Sequence, residues 1–109
     1  MGEEYKVIFG PRSRTDLRDV VTYIARASQS RSIAEGFGRA LIQKALTLSQ
    51  FPERGRVVPE IGTSDIREII FRSYRIVYRI SGRTVQIVRF WHAARGTPEL
   101  TIDDFREVD

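Results

Sequence analysis

Glu60 and His92 are the side chains in this sequence best suited to moving protons, and arginines dominate the stretch between them. A carboxylate can take the proton from a ribose 2′-OH, and an imidazole can return one to a departing 5′-oxygen. Fixed cations can hold the charge that builds on the phosphorus, so such a set cleaves RNA without a metal. His92 is the only histidine and the one side chain whose ordinary pKa lies near neutrality. Arg67, Arg75, Arg79 and Arg95 could supply the cations. Each residue also has a plainer role open to it: Glu60 as a surface acid in a loop, His92 as a polar strand end, the arginines as a solvated face.

The charge pattern directs attention to the same region. Of 18 basic residues only Lys6 and Lys44 are lysine, and the formal net charge is +4. Arginine presents a flat fork of donors that fits carboxylate or phosphate. Residues 54–95 hold nine arginines against three acids, whereas residues 99–109 hold five acids against one arginine. The basic stretch should therefore face an anionic partner, either nucleic acid or an acidic protein segment. Cysteine is absent, which excludes disulfides and thiolate zinc sites. A lone histidine excludes any mechanism needing two imidazoles, and no metal or cofactor is implied. With 109 residues, 41% hydrophobic and 29% charged, a single globular domain with an acidic tail from about residue 97 is expected. No secretory pattern or long apolar run is present, so a cytoplasmic location without a membrane segment is expected.

The elements that must position these residues follow from periodicity. Residues 5–9 are short and β-prone and end at Gly10-Pro11. Ser13 and Asp16 have the spacing of a helix start, and Leu17, Val20, Val21, Ile24 and Ala27 form an apolar stripe. After a serine-rich break, Ser32 and Glu35 can cap a second helix with the stripe Ala34, Phe37, Leu41, Ala45 and Leu48, stopped by Pro52. Gly36 and Gly38 within it are expected to allow close approach to the first helix, and the pair to pack antiparallel. Residues 52–64 read as loop. Three strands follow at 66–71, 74–80 and 84–91, joined by hairpin-sized turns into an antiparallel meander. Residues 101–104 can cap a last short helix carrying Phe105. The fold class is α+β: an N-terminal strand, an antiparallel helical hairpin and a three-stranded antiparallel meander, with the helices on one face of a curved sheet. Alternation puts Tyr74, Ile76, Tyr78 and Ile80 under the helices and Arg75 and Arg79 on the open face. A bulge near Arg89 would turn Val85 and Ile87 inward and Arg89 outward. Arg67, Arg75 and Arg95 are expected to gather on that open, concave face.

Five segments carry a resemblance that spans about residues 5–96. They are 11–17 (Pro-Arg-Ser-Arg-Thr-Asp-Leu), 48–56 (Leu-Ser-Gln-Phe-Pro-Glu-Arg-Gly-Arg), 66–69 (Ile-Arg-Glu-Ile), 74–80 (Tyr-Arg-Ile-Val-Tyr-Arg-Ile) and 85–95 (Val-Gln-Ile-Val-Arg-Phe-Trp-His-Ala-Ala-Arg). In order and spacing the chain resembles the RelE/ParE superfamily of type II toxin–antitoxin toxins, also known as plasmid stabilisation proteins. The resemblance implies a growth-inhibiting toxin held inactive by a cognate antitoxin, whose acidic or amphipathic C-terminal segment folds onto it. It implies one of two activities. The first is a metal-independent, ribosome-dependent mRNA endonuclease, with Glu60 after Pro59 as base, Arg75 of Arg-Ile-Val-Tyr on the phosphate, His92 as acid, and Arg67, Arg79 and Arg95 as further phosphate ligands. The alternative is a ParE-type, non-enzymatic inhibitor of DNA gyrase. Ala93 stands where the endonuclease subgroup has tyrosine, residues 52–66 lack the lysines of other nuclease members, and the helical hairpin is long, as in ParE.

Overall fold

The computed structural model of the chain describes residues 4–105; the last four residues of the acidic tail lie outside them. Strand β1 (Lys6–Phe9) leads into helices α1 (Pro11–Ser28) and α2 (Arg31–Leu46). Short 3-10 turns follow at Thr47–Ser49 and Pro52–Arg54. Strands β2 (Arg56–Val57), β3 (Ile66–Phe71), β4 (Tyr74–Ser81) and β5 (Thr84–His92) complete one sheet in the order β1-β5-β4-β3-β2. β1 runs parallel to β5 and the other pairs are antiparallel. The α+β class, the helical hairpin and the meander are as expected. β2 falls in a stretch expected to be loop: its two residues pair with Glu68 and Arg67.

Both helices start earlier than their serine-acid spacings predict. α1 begins at Pro11, whose fixed φ and missing N–H suit the first helical position. Ser13 instead donates its hydroxyl to the Gly10 carbonyl at 2.7 Å. α2 is capped by Ser30, whose Oγ accepts from the Ile33 N–H, and not by Ser32. Gln29 in the left-handed region reverses the chain there, so the cap falls two residues sooner. At its other end α2 gives way at Thr47 to a tighter 3-10 turn that keeps Leu48 buried, well before Pro52.

Leu41, Ala45 and Val20 of the helices bury against Tyr74, Ile76, Tyr78, Val85, Ile87 and Phe90 of the sheet. The register holds the expected bulge: Val77 faces Arg89 but Tyr78 faces Ile87, leaving Val88 as the extra residue. Val85 and Ile87 before it, and Phe90 after it, therefore point to the helices, while Val88 turns away with Val77. The far face is not open. Val58, Ile66, Val77 and Val88 form a second cluster there, covered by Ile61, Leu100 and Phe105.

α1 also closes the edge of β5. β1 ends opposite Ile87, and the next exposed donor, the Phe90 N–H, goes to Asp16 Oδ2 at 3.0 Å. The same carboxylate takes Arg89 in a two-pronged grip, Nε to Oδ2 at 2.7 Å and Nη2 to Oδ1 at 2.8 Å. Both residues are buried. Removing one partner of such a pair strands a charge, at about 3–5 kcal/mol. Asp16→Ala should lower unfolding free energy by that order in denaturant titration. A near-wild-type midpoint would show that the pair contributes little. The two helix glycines should respond oppositely to alanine. A Cβ on Gly38 would sit 2.8 Å from Val21 Cγ2, whereas on Gly36 it meets nothing nearer than 3.9 Å. Gly38→Ala should cost about 1–3 kcal/mol by overpacking a stiff β-branched neighbour. Gly36→Ala should gain about 0.5–1 kcal/mol, read from melting temperatures.

Candidate functional site

Glu60 and Arg75 do meet. Arg75 Nη2 donates to Glu60 Oε1 at 2.8 Å and Nη1 to Oε2 at 3.1 Å. Its Nε donates to Glu68 Oε1 at 2.6 Å, and Arg56 binds the other Glu68 oxygen. Arg75 Nη1 also reaches the Gly96 carbonyl at 3.2 Å. Glu68 is fully buried and the Arg75 side chain is only 8% exposed. Arg75 is thus held by two carboxylates and a carbonyl, with its charge already matched. Glu68 was not anticipated as part of the site, although hairpin register points to it. Glu68 faces Val77, two residues from Arg75 on the same face of the neighbouring strand.

The guanidinium contacts hold the Glu60 carboxyl well below its ordinary value, at about 2. Glu60 is ionised at neutral pH but so weakly basic that it is poorly matched to taking a proton from a hydroxyl. The two glutamates in turn raise the Arg75 pKa.

His92 lies across the sheet from this cluster. It pairs in register with Tyr74, and their rings meet edge to face at 5.0 Å. Tyr74 belongs to the helix-side core, whereas Arg75 pairs with Trp91 on the far side. His92 Nδ1 accepts the Ala94 N–H at 3.1 Å, closing the 3-10 turn Ala93–Arg95.

The expected gathering of arginines on one face does not occur. Arg67 shares the helix side with Tyr78 and donates to the carbonyls of Ser64, Glu53 and Gly55. Arg79, on the far side, pairs with Asp65 at 3.6 Å and donates to the Phe105 carbonyl. Arg95 alone among the candidates is exposed without an ion pair among the described residues. It sits over Trp91, its guanidinium carbon 3.7 Å from the ring centre. The physical reason is strand parity: Arg75 and Arg79 share the far side with Val77, whereas Arg67, opposite Tyr78, points to the helix side. The acidic tail is drawn in as far as Phe105: Arg12 binds Asp104 at 3.1 Å, and Arg89 donates to the Glu99 carbonyl. Among the described residues no group of three or more histidines or acids could hold a metal ion, and no helix is long and apolar enough to cross a membrane.

The overall fold is shared with solved structures. A chain of the chromosomal ParDE toxin–antitoxin system from P. aeruginosa superposes with a TM-score of 0.70 at 14% identity, over 82% of this chain and 96% of that one. A chain of the toxin–antitoxin complex RelBE2 from Mycobacterium tuberculosis superposes with a TM-score of 0.60 at 26% identity, over 83% and 92%. No curated protein matches the chain. The fold is that of the RelE/ParE superfamily of toxins. Residues 7–96 match the family model described as the ParE toxin of the type II toxin–antitoxin system parDE, and the chain belongs to that family.

The depressed Glu60 carboxyl makes a prediction about acid. A carboxyl whose folded pKa lies below its ordinary value of 4.5 stabilises the fold above that value. The contribution is lost as pH falls from 4.5 through about 2. Glu60→Gln should lower stability at pH 7 and flatten the loss of stability between those limits, followed by denaturant midpoints at each pH. Parallel pH curves for the two proteins would rule out a linked Glu60–Arg75 contact.

Proposed function

We propose that this protein arrests growth as a non-enzymatic inhibitor of DNA gyrase and is neutralised by a cognate antitoxin. The observation that carries the reading is the division of the nuclease-like set by the sheet, with His92 on the helix side and Glu60 and Arg75 on the other. An acid and a base that act on one phosphodiester must reach the same bond. Glu60 is further spent on Arg75, and Arg67, Arg75 and Arg79 are spent on carbonyls and carboxylates of the chain itself. The ParE family match and the long helical hairpin support the same reading. An antitoxin partner is supported by the likeness to chains of two toxin–antitoxin systems.

Inducible expression should arrest growth while transcripts stay full length, and purified toxin should block supercoiling by purified gyrase. His92→Ala should leave transcripts full length just as the unaltered chain does, because under this reading the imidazole transfers no proton. Transcript cleavage that disappears in His92→Ala, together with unaffected supercoiling, would establish the endonuclease instead. Arg75→Ala does not discriminate, since it leaves buried Glu68 without one of its two guanidinium partners and weakens the fold under either mechanism.

A further inference from the structure

On the helix side, between α1 and the end of β5, a cleft of about 170 Å³ is lined by Asp16, Asp19, Tyr23, Tyr74, His92 and Arg95, with Val20 and Phe90 at its base. It is smaller than the roughly 300 Å³ at which pockets for drug-sized ligands begin. One inserted side chain suits it.

Several donors in this cleft have no hydrogen-bond partner among the described residues. Tyr74 is 8% exposed, yet its hydroxyl has no hydrogen-bond partner among the described residues. Burial raises the Tyr74 pKa, so that hydroxyl keeps its proton and can donate. Because His92 Nδ1 already accepts the Ala94 N–H, a neutral ring carries its proton on Nε2, where it too can donate. Arg95 lines the cleft with its guanidinium over the Trp91 ring and has no ion pair among the described residues. Tyr23 adds a second hydroxyl from an exposed ring. Asp16 does not offset these donors, since Arg89 and the Phe90 N–H occupy both its oxygens. Asp19 is exposed and is the carboxylate of this lining with no ion pair or hydrogen bond among the described residues, placed to take an N–H.

We propose that this cleft is an anchor site for a single aspartate or glutamate side chain of a protein partner, held by Tyr74, His92 and Arg95, with Asp19 receiving a backbone N–H beside it. Several donors around one carboxylate give charge-assisted bonds, with the Tyr74 hydroxyl, which reaches solvent at the cleft, among them. A free phosphate is disfavoured because the Asp19 carboxylate repels a second negative charge. The choice of a protein guest over a nucleic-acid phosphate rests on the protein-directed function proposed above.

The test uses small probes and so does not depend on that function. Nitrogen-15 spectra of the His92 ring and the Arg95 side chain would be followed while N-acetylglutamate amide, N-acetylglutamine amide or inorganic phosphate is added. Saturable shifts with the glutamate probe, and none with glutamine, are expected. Tyr74→Phe keeps the ring and loses only the hydroxyl, and Arg95→Gln alters an exposed side chain. Each should weaken the glutamate probe about tenfold, the equivalent of one charge-assisted bond, with melting temperature unchanged. No saturable shift, an equal response to glutamine, or tighter binding of phosphate would each overturn the proposal. Gyrase inhibition failing while the glutamate probe binds would remove the functional reading and leave the carboxylate site standing.

Discussion

The buried contact between Asp16 and Arg89 ties together three parts of the chain that are distant in sequence. Asp16 belongs to the first helix, Arg89 follows a bulge in the last strand, and Arg89 in turn holds the Glu99 carbonyl of the C-terminal segment. Taking both charges out of water is costly, and the contact tolerates it only because every oxygen is used. One Asp16 oxygen serves both the guanidinium and the Phe90 N–H, which would otherwise be an unpaired donor at the edge of the sheet. The acid thus takes over from β1 where that strand ends. The bulge at Val88 is the condition for this arrangement. Without the extra residue, Arg89 would face the helix-side core, and Phe90 would leave it.

The excess of arginine over lysine is explained by the fold before any partner is invoked. Arg54 donates to the carbonyls of Thr47 and Gln50, Arg67 to those of Glu53, Gly55 and Ser64, and Arg79 to that of Phe105. Arg72 lies over Phe37 and Phe71. Arg56 and Arg75 share Glu68. These uses need a planar fork that can bind two acceptors or lie flat on a ring, and an ammonium group does neither well. A basic stretch in the sequence is therefore weak evidence for an anionic partner when loops and acids of the same chain already occupy its guanidinium groups.

What could be read from the sequence was local or periodic. The helical stripes, the three strands of the meander and the bulge near Arg89 all follow from side-chain alternation and turn residues. The helix starts were displaced because two competing serines and a proline offered capping signals within a few residues, and spacing alone does not rank them. The parallel pairing of β1 with β5 and the two-residue β2 depend on contacts distant in sequence. The covering of the far face rests on Leu100 and Phe105, two isolated apolar residues in an acidic segment with no period to reveal them. Gly38 was legible as a close approach and is one, with Val21 against it; Gly36 has the same sequence context and faces no such neighbour.

Sequence spacing places Glu60, Arg75 and His92 on neighbouring elements but does not compare their sides of the sheet. Arg75 and His92 lie one register step apart on adjacent strands, since Tyr74 faces His92 and Arg75 faces Trp91. In a pleated sheet that single step is the difference between one face and the other. A sequence motif records proximity along strands and is silent about parity, which is set here by the bulge and by which residues the helices bury. With Arg75 committed to Glu60 and Glu68, moving His92 to its side would require a register shift through Trp91. That shift would bring His92 into the place of an indole whose N–H binds the Gly96 carbonyl and whose ring supports Arg95. The indole is therefore part of what keeps the imidazole on the helix side, facing α1 and available to a guest there instead of to a phosphodiester on the opposite face.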